Sequence, residues 1–417
     1  MKVRASIPSV EEIEVDVSEK AKVADLKQQI CDKMVIEPSF TTLLLDGKPL
    51  GEASRLADLD LASKRIVVDY FWARHLILWG KEGQSRIRNS VALLAGAGAL
   101  GNEVAKNLAM LGIKRLLIVD YDTVELSNIS RMVFFDKEDL GKPKAKVLAE
   151  KLMKKYPHVE IHAYDIPLEK LSLEVFLAAD VIVSGLDNVI SRIFLSSISR
   201  KHMIPIVDGG VIGYHARVQV YIPPDSPCPI CPLPAGHYGE LVGLRNPCDA
   251  PLEEAKTPSL PTTISMVSSI QTQEALKILV GHQSFVEKGK WPPHLGEPLK
   301  GILIADLKFN RYSILELNKN KNCIVCGKEG TASNTVPRFK VAIDELADST
   351  NALATAIESR VGKPKDEVLL FKINDGKTTK IESNRRLSEY RLNRKNFIQV
   401  VFTKKKNEYE EAIVELI

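Results

Sequence analysis

The chain holds 417 residues, and 57 lysines and arginines against 53 acids leave a formal charge of +4. That length predicts several domains, while 45% hydrophobic and 26% charged residues exclude a largely disordered or fibrous chain. So small a charge carries no general nucleic-acid footprint, and no apolar stretch approaches the ~18–20 residues of a membrane helix. The opening MKVRASIPSVEEIEV turns acidic before any apolar signal core appears, so the expectation is a soluble, cytoplasmic, multidomain protein.

Residues 1–70 read as a compact β/α unit. Met1–Pro8 and Glu12–Asp16 alternate as strands on either side of a turn. Val23, Leu26, Ile30 and Met34 recur at helical spacing, which places Cys31 on a helix as a packing residue. Leu43-Leu44-Leu45 then meets the turn dipeptide Asp46-Gly47, and Arg65–Tyr70 makes a last strand. Hairpin, helix and further strands in that order form a β-grasp pattern. VADLKQQICDKM, TTLLLDGKPL and SRLADLDLASKRIVVDY resemble ubiquitin along the whole unit. The chain runs on into Phe71-Trp72-Ala73-Arg74, with no free Gly-Gly tail, so this unit is not expected to be conjugated.

Residues 71–327 alternate strand and helix. Ser90–Leu94 is an apolar strand that leads into Gly96-Ala97-Gly98-Ala99-Leu100-Gly101, and Leu100, Val104, Leu108 and Leu111 follow at helical spacing. Further strands are expected at Arg115–Asp120, Asp180–Ser184 and Ile204–Asp208, and helices at Lys144–Tyr156 and Thr263–Val280. A β-hairpin is expected across Lys300–Leu317. This alternation predicts an α/β, Rossmann-like domain with a mostly parallel sheet and helices on both faces.

Residues 336–417 return to the β-grasp pattern. A strand at Phe339–Ile343, a helix at Ala352–Val361 and a strand at Val368–Ile373 precede the turn Asn374-Asp375-Gly376. LSEYRLNRKNFIQVVF then echoes RLADLDLASKRIVVDYF from the other end of the chain. The basic run at 402–406 and the acidic run at 408–411 read as solvated surface. The expected architecture is therefore an α/β core flanked by two β-grasp domains, with boundaries at 1–70, 71–327 and 336–417.

Of six cysteines, four form two CxxC knuckles, Cys228-Pro-Ile-Cys231 and Cys323-Ile-Val-Cys326. Each knuckle offers two thiolates at the spacing a tetrahedral zinc ion requires, so a closed, structural four-cysteine site is expected; buried or disulfide-linked thiols are the alternative. The metal would pin two distant segments of one domain. Cys31 and Cys248 remain.

A GxGxxG after a strand, here Gly96, Gly98 and Gly101, brings backbone N–H groups and a helix start towards a phosphate. Asp120 lies 22 residues beyond Gly98, where a dinucleotide fold places its ribose-binding acid, so a dehydrogenase is a first reading. The surrounding groups argue otherwise. Asp120-Tyr121-Asp122-Thr123-Val124-Glu125-Leu126-Ser127-Asn128-Ile129-Ser130-Arg131 is dense in polar residues, Gly141-Lys142-Pro143-Lys144 adds cations, and Leu186-Asp187-Asn188 ends a strand. Arg131 and Lys144 suit triphosphate oxygens and Asp187 suits Mg²⁺, which points to displacement at phosphorus rather than hydride transfer.

GAGALG, DYDTVELSNISR, GKPKAKV, LDN, CPIC and CIVC resemble the ThiF/MoeB/E1 adenylating superfamily across the 71–327 span. The resemblance implies that ATP meets Gly96, Gly98, Gly101, Asp120 at the ribose, Asp122, Asn128, Arg131, Lys144 and Asn188, with Mg²⁺ on Asp187. FWARHLILWG resembles the segment where the MoeB group keeps RxxRQ, with His75 in place of the glutamine. Arg74 thereby matches an arginine that reaches an active site across a homodimer interface. The implied reaction joins the Gly-Gly C-terminus of a ubiquitin-like protein to AMP.

Two branches of that superfamily diverge after the adenylate. Sulfur-carrier activators stop there or pass it to sulfur donors, whereas ubiquitin-type E1 enzymes move the acyl group to their own cysteine and then to an E2. Pro247-Cys248 ahead of Thr257-Pro258-Ser259-Leu260-Pro261 resembles the catalytic-cysteine segment of SUMO-type E1 subunits, and 239–262 is the corresponding short crossover. The C-terminal unit with its LSEY resembles their E2-recruiting ubiquitin-fold domain. A compact E1 is the expectation, with a sulfur-carrier activator and an inactive scaffold as alternatives.

Overall fold

The computed structural model describes residues 1–61, 64–233, 258–362, 368–374, 377–405 and 408–417. Two compact units emerge: Met1–Asn89 with Val280–Gly296, and Ser90–Leu279 with Glu297–Ile417.

In the first unit, β1 (Lys2–Ile7), β2 (Glu11–Asp16), β3 (Thr41–Leu45), β4 (Lys48–Pro49) and β5 (Ile66–Tyr70) form one sheet in the order β2-β1-β5-β3-β4. β1 pairs antiparallel with β2 and parallel with β5. Helix α1 (Val23–Met34) covers the sheet with Val23, Leu26, Ile30, Cys31 and Met34 buried, so Cys31 is a core thiol. This is the β-grasp order that the sequence predicts.

β5 passes straight into α2 (Ala73–Asn89), which breaks at Gly80, where φ is 68°. The junction is locked. Trp72 is buried, and the Arg88 guanidinium lies 4.8 Å from its ring centroid and 5.1 Å from that of Phe40. Glu37 accepts from the Tyr70 hydroxyl at 2.6 Å and from Arg88 Nε at 3.1 Å. Where ubiquitin has a loose tail, this chain has a helix tied back onto the grasp.

The second unit is built on eight strands: β6 (Val91–Ala95), β7 (Arg115–Val119), β8 (Glu160–Tyr164), β9 (Val181–Ser184), β10 (Ile206–Ile212), β11 (His215–Tyr221), β12 (Ile302–Asp306) and β13 (Arg311–Leu315). They stand in the order β13-β12-β11-β10-β9-β6-β7-β8. β10, β9, β6, β7 and β8 are mutually parallel, and β11 to β13 continue antiparallel. α3 (Ala99–Leu111), α5 (Lys144–Lys155) and α8 (Pro261–Lys288) pack one face; α6 (Leu173–Leu177) and α7 (Val189–His202) pack the other, with α4 (Leu126–Ile129) a single turn between β7 and α5. The connections leave β6 in one direction for β7 and return to β9 on its other side. That switch point opens a crevice at the strands' C-terminal ends. α8 outruns the expected end at Val280, because Gly281 stays helical under the Trp291 ring, where a Cβ would sit 2.8 Å from a ring carbon.

The C-terminal sheet holds β14 (Arg338–Val341), β15 (Val368–Asn374), β16 (Lys377–Ile381), β17 (Phe397–Lys405) and β18 (Glu408–Leu416) in the order β14-β18-β17-β15-β16, with α9 (Thr350–Val361) after β14. Its connectivity differs from that of the first unit. There the first strand fills the slot beside β5 and runs parallel to it; here the last strand, β18, fills that slot and runs antiparallel to β17. The basic run begins in β17 and the acidic run lies in β18, and the two strands pair with each other. Ala412, Val414 and Leu416 bury one face of β18, and partly buried Glu411 accepts from Gln399 at 2.7 Å. This sheet is seated on the core: Leu177 packs with Val336, Ile373, Phe397 and Ile413, and the Val336 N–H donates to the Lys201 carbonyl at 2.7 Å.

Candidate functional site

The glycine loop turns between β6 and α3 at the switch point. Gly96 adopts φ 102°, a conformation open to glycine at little cost. A Cβ on Gly101 would lie 2.0 Å from the Gly96 carbonyl oxygen, so only glycine lets the helix approach the loop. Beyond Gly98 the space is open, and α3 begins there without a side-chain cap, leaving its first N–H groups free for an anion. Asn102 braces the loop. Fully buried, it donates from Nδ2 to the Ala97 and Gly98 carbonyls at 2.8 and 3.1 Å and accepts from the Phe134 N–H at 3.2 Å. Sequence reading missed it; the signal was a carboxamide beside glycine on the otherwise apolar buried face of the helix.

Asp120 follows β7. Its Oδ2 accepts from the Ala97 N–H at 2.6 Å and its Oδ1 from the Asp122 N–H at 2.8 Å, which ties the acid to the glycine loop. Burial pushes its carboxyl above the usual range, and those two amides oppose the shift. Lys144, at the start of α5, is nearly buried, and its Nζ donates to Asp122 Oδ2 at 2.8 Å. Asn128 is buried and accepts the Glu125 N–H at 2.9 Å, so its carbonyl caps α4; Arg131 Nη1 donates to the Ser127 carbonyl at 2.5 Å. The acids of 120–122, the 125–131 turn and the GKPK lysine thus converge beside the glycine loop.

Asp187 stands exposed past the end of β9, and the Asn188 amide donates to it at 3.4 Å while the Asn188 carbonyl caps α7 through the Ser191 N–H at 2.8 Å. Beneath lies a charged network that sequence reading did not find. Asp208, 1% exposed on β10, accepts from Arg192 and Arg217 at 2.7 Å each and from the Ser184 hydroxyl at 2.9 Å. Arg192 also donates to the Leu186 carbonyl, so the segment that carries Asp187 hangs on this clamp. Burial pushes the Asp208 carboxyl up and the Arg192 guanidinium pulls it down. The available signal was Asp208-Gly209-Gly210 at the end of the strand expected at Ile204–Asp208.

Arg74 belongs to the first unit and is exposed on α2. Cys248, with most of the crossover expected at 239–262, lies outside the described residues.

The two knuckles meet. Cys228 Sγ lies 3.8 Å from Cys231 and 3.6 Å from Cys323, Cys231 lies 3.3 Å from Cys326, and all four sulfurs fall within 4.8 Å of one another. A tetrahedral ion with Zn–S of ~2.3 Å wants sulfurs about 3.8 Å apart, so the cluster fits zinc. None of these thiols is in a disulfide. With Tyr221, Ile230 and Val325 around them, the sulfurs are shielded by apolar packing.

Fold and site together define an α/β adenylyltransferase with a glycine loop and polar switch-point residues. The ThiF family model matches residues 72–325 and the ubiquitin family model matches residues 1–69. The chain belongs to the ThiF family, with an N-terminal ubiquitin domain. It is 30% identical over 266 residues to the SAMP-activating enzyme E1 of Haloferax volcanii, covering 63% of this chain and 90% of that one. Identity to the sulfur carrier protein adenylyltransferase of Thermus thermophilus is also 30%, over 270 residues, 62% of this chain and 89% of that one. A crystal structure of E. coli MccB with succinimide shares the fold at 19% identity and a TM-score of 0.50, covering 62% of this chain and 74% of that one. Among the described residues no helix is long and apolar enough to cross a membrane.

Proposed function

We propose that this protein is a compact E1-like enzyme that uses Mg²⁺-ATP to adenylate the C-terminal glycine of a ubiquitin-like protein, takes the acyl group onto Cys248 and passes it to an E2. One observation carries the first half: Asp120 is hydrogen-bonded to the glycine loop and to the Asp122 N–H, Asp122 holds Lys144, and Gly185 of the Asp187 segment lies against Gly96 of that loop. A carboxylate is a poor electrophile. Its oxygen attacks the α-phosphorus of ATP, pyrophosphate leaves, and the acyl adenylate is the activated product. Lys144 and Arg131 offset the charge that gathers on phosphorus and the leaving group, and Asp187 would hold a Mg²⁺ that adds to that offset. Asp120 meets the ribose, and Gly96, Gly98, Gly101, Asp122, Asn128 and Asn188 shape the pocket.

In the second half the Cys248 thiolate attacks the adenylate carbonyl and AMP departs. The E2-recruiting role falls to residues 336–417, whose sheet sits on the core. The enzyme works as a homodimer in the cytoplasm, with Arg74 serving the partner's site, and zinc on Cys228, Cys231, Cys323 and Cys326 holds the two knuckles without an open coordination position. The Thermus thermophilus relative supports a second reading, a sulfur-carrier activator that forms no thioester.

ATP–pyrophosphate exchange against a panel of Gly-Gly-ending proteins tests the adenylation. Exchange with one of them is expected; none with any leaves only a scaffold. With that modifier, wild type should form a reducible adduct on a non-reducing gel, and Cys248→Ala should lose it while keeping exchange. An adduct that survives Cys248→Ala puts the nucleophile elsewhere. No adduct in wild type turns the assignment to the sulfur-carrier branch.

A further inference from the structure

The cysteine cluster leaves buried donors unexplained. Tyr221, the last residue of β11, is fully buried, and its hydroxyl has no hydrogen-bond partner among the described residues. Arg200, in the last turn of α7, buries Nε and Nη1, likewise without partners among the described residues. Buried donors are ordinarily satisfied, so each such atom asks for an acceptor. Tyr221 packs in the apolar cluster that holds Cys228, Cys231 and Cys323, and Arg200 lies one helical turn beyond Ser197, whose hydroxyl meets that of Thr331 at 2.9 Å beside the second knuckle.

The same strand already supports the first knuckle. Gln219 and Tyr221, two residues apart on β11, share a face. From there Gln219 Nε2 donates to the Pro227 and Cys228 carbonyls at 3.1 and 3.3 Å. Chemistry supplies the reason for donors beyond the backbone. Four thiolates around Zn²⁺ carry a net charge of −2, and in an apolar shell that excess is stabilised only by hydrogen bonds and cations around the sulfurs. Thiols without metal accept weakly, whereas metal-bound thiolates accept well. Hence the donors are idle until the metal is loaded.

We infer that the Tyr221 hydroxyl and the Arg200 guanidinium donate to the thiolate sulfurs of the zinc-loaded cluster and set its metal affinity. Both are positioning residues, neither binds the metal, and the inference rests on the zinc assignment above. Loading then couples the end of α7 to the end of β11 through the metal. The carbonyl of Lys201, next to Arg200, accepts from the Val336 N–H, so the same helix end holds the C-terminal sheet.

The test uses the full-length protein with zinc and with Co²⁺ as a probe. Competition against a chromogenic chelator should show Tyr221→Phe and Arg200→Met binding zinc about 10- to 100-fold more weakly than wild type. In the cobalt-loaded protein, the thiolate-to-metal charge-transfer band should move to lower energy, because sulfur loses a hydrogen bond. Tyr221→Phe should lower the Tm of the loaded protein and leave the chelator-stripped protein unchanged or firmer, since it deletes an unsatisfied hydroxyl there. Wild-type affinity with an unmoved band in both variants overturns the inference. An equal fall in Tm with and without metal also overturns it, as that marks packing alone. If wild type takes up neither zinc nor cobalt, the zinc assignment itself fails. Arg200→Met keeps the inference decidable should Tyr221→Phe not fold.

Discussion

Lys144 and Asp122 are joined twice: Nζ of the lysine donates to the carboxylate at 2.8 Å, and its backbone N–H donates to the Asp122 carbonyl at 2.8 Å. The backbone bond fixes where the ammonium stands, while a half-exposed acid holds it only loosely. A phosphate can therefore share the cation without moving the helix. Lys144→Gln should lower pyrophosphate exchange by about 10²- to 10³-fold. Because Asp122 is open to water, thermal unfolding should move little, by ~1 kcal/mol or less. Exchange at the wild-type rate would show that another cation meets the phosphates.

Asp187 and Asp208 should separate cleanly. Asp187 is exposed and carries one long hydrogen bond, so Asp187→Ala should abolish exchange and keep the Tm. Asp208→Ala should do both kinds of damage. It would strand Arg192 and Arg217 beside an empty buried site, a loss of about 3–5 kcal/mol, and would loosen the Asp187 segment. Circular-dichroism melts beside exchange assays check both.

Metal analysis should find one zinc per chain, and chelation should lower the melting temperature. The knuckles lie 95 residues apart, so removing the ion frees two segments at once. Full stability in a metal-free preparation would rule out a structural ion.

Removing residues 336–417 should spare pyrophosphate exchange and cut transfer to an E2. It should also lower the Tm, because it strips Val336, Ile373, Phe397 and Ile413 from Leu177. Undiminished E2 charging by the truncated protein would contradict the recruiting role.

His202 gives a pH signature. It is buried beside Lys201, with Glu411 and Arg338 acting on it, and burial pulls its imidazole down to about 4. The folded state thus keeps it neutral, while the unfolded chain binds a proton below about 6.5, so stability falls as pH drops through that window. The loss should reach the order of 3 kcal/mol near pH 4. His202→Gln should flatten that part of the curve; an unchanged acid limb would assign it to other groups.

The fold was legible wherever one local rule governed. Val23, Leu26, Ile30 and Met34 announced α1, and the four knuckle cysteines announced their cluster. Illegible were features that depend on what a side chain meets across the fold. Nothing near Arg192 says that it will share a buried acid with Arg217, and Gly281 reads as a helix stop until Trp291 covers it.

By itself, the sequence determined the alternating core, the glycine loop with its acids, the paired knuckles and the N-terminal β-grasp. Each is written in periods and spacings of a few residues, which backbone sterics and ligand geometry translate locally. The tertiary structure alone decided that β18, not a first strand, completes the C-terminal sheet, that α2 joins the ubiquitin-like unit, and that Asp208 anchors the Asp187 segment. Those outcomes turn on which distant strand satisfies an open row of hydrogen bonds and which distant cation offsets a buried charge, and no local period encodes either.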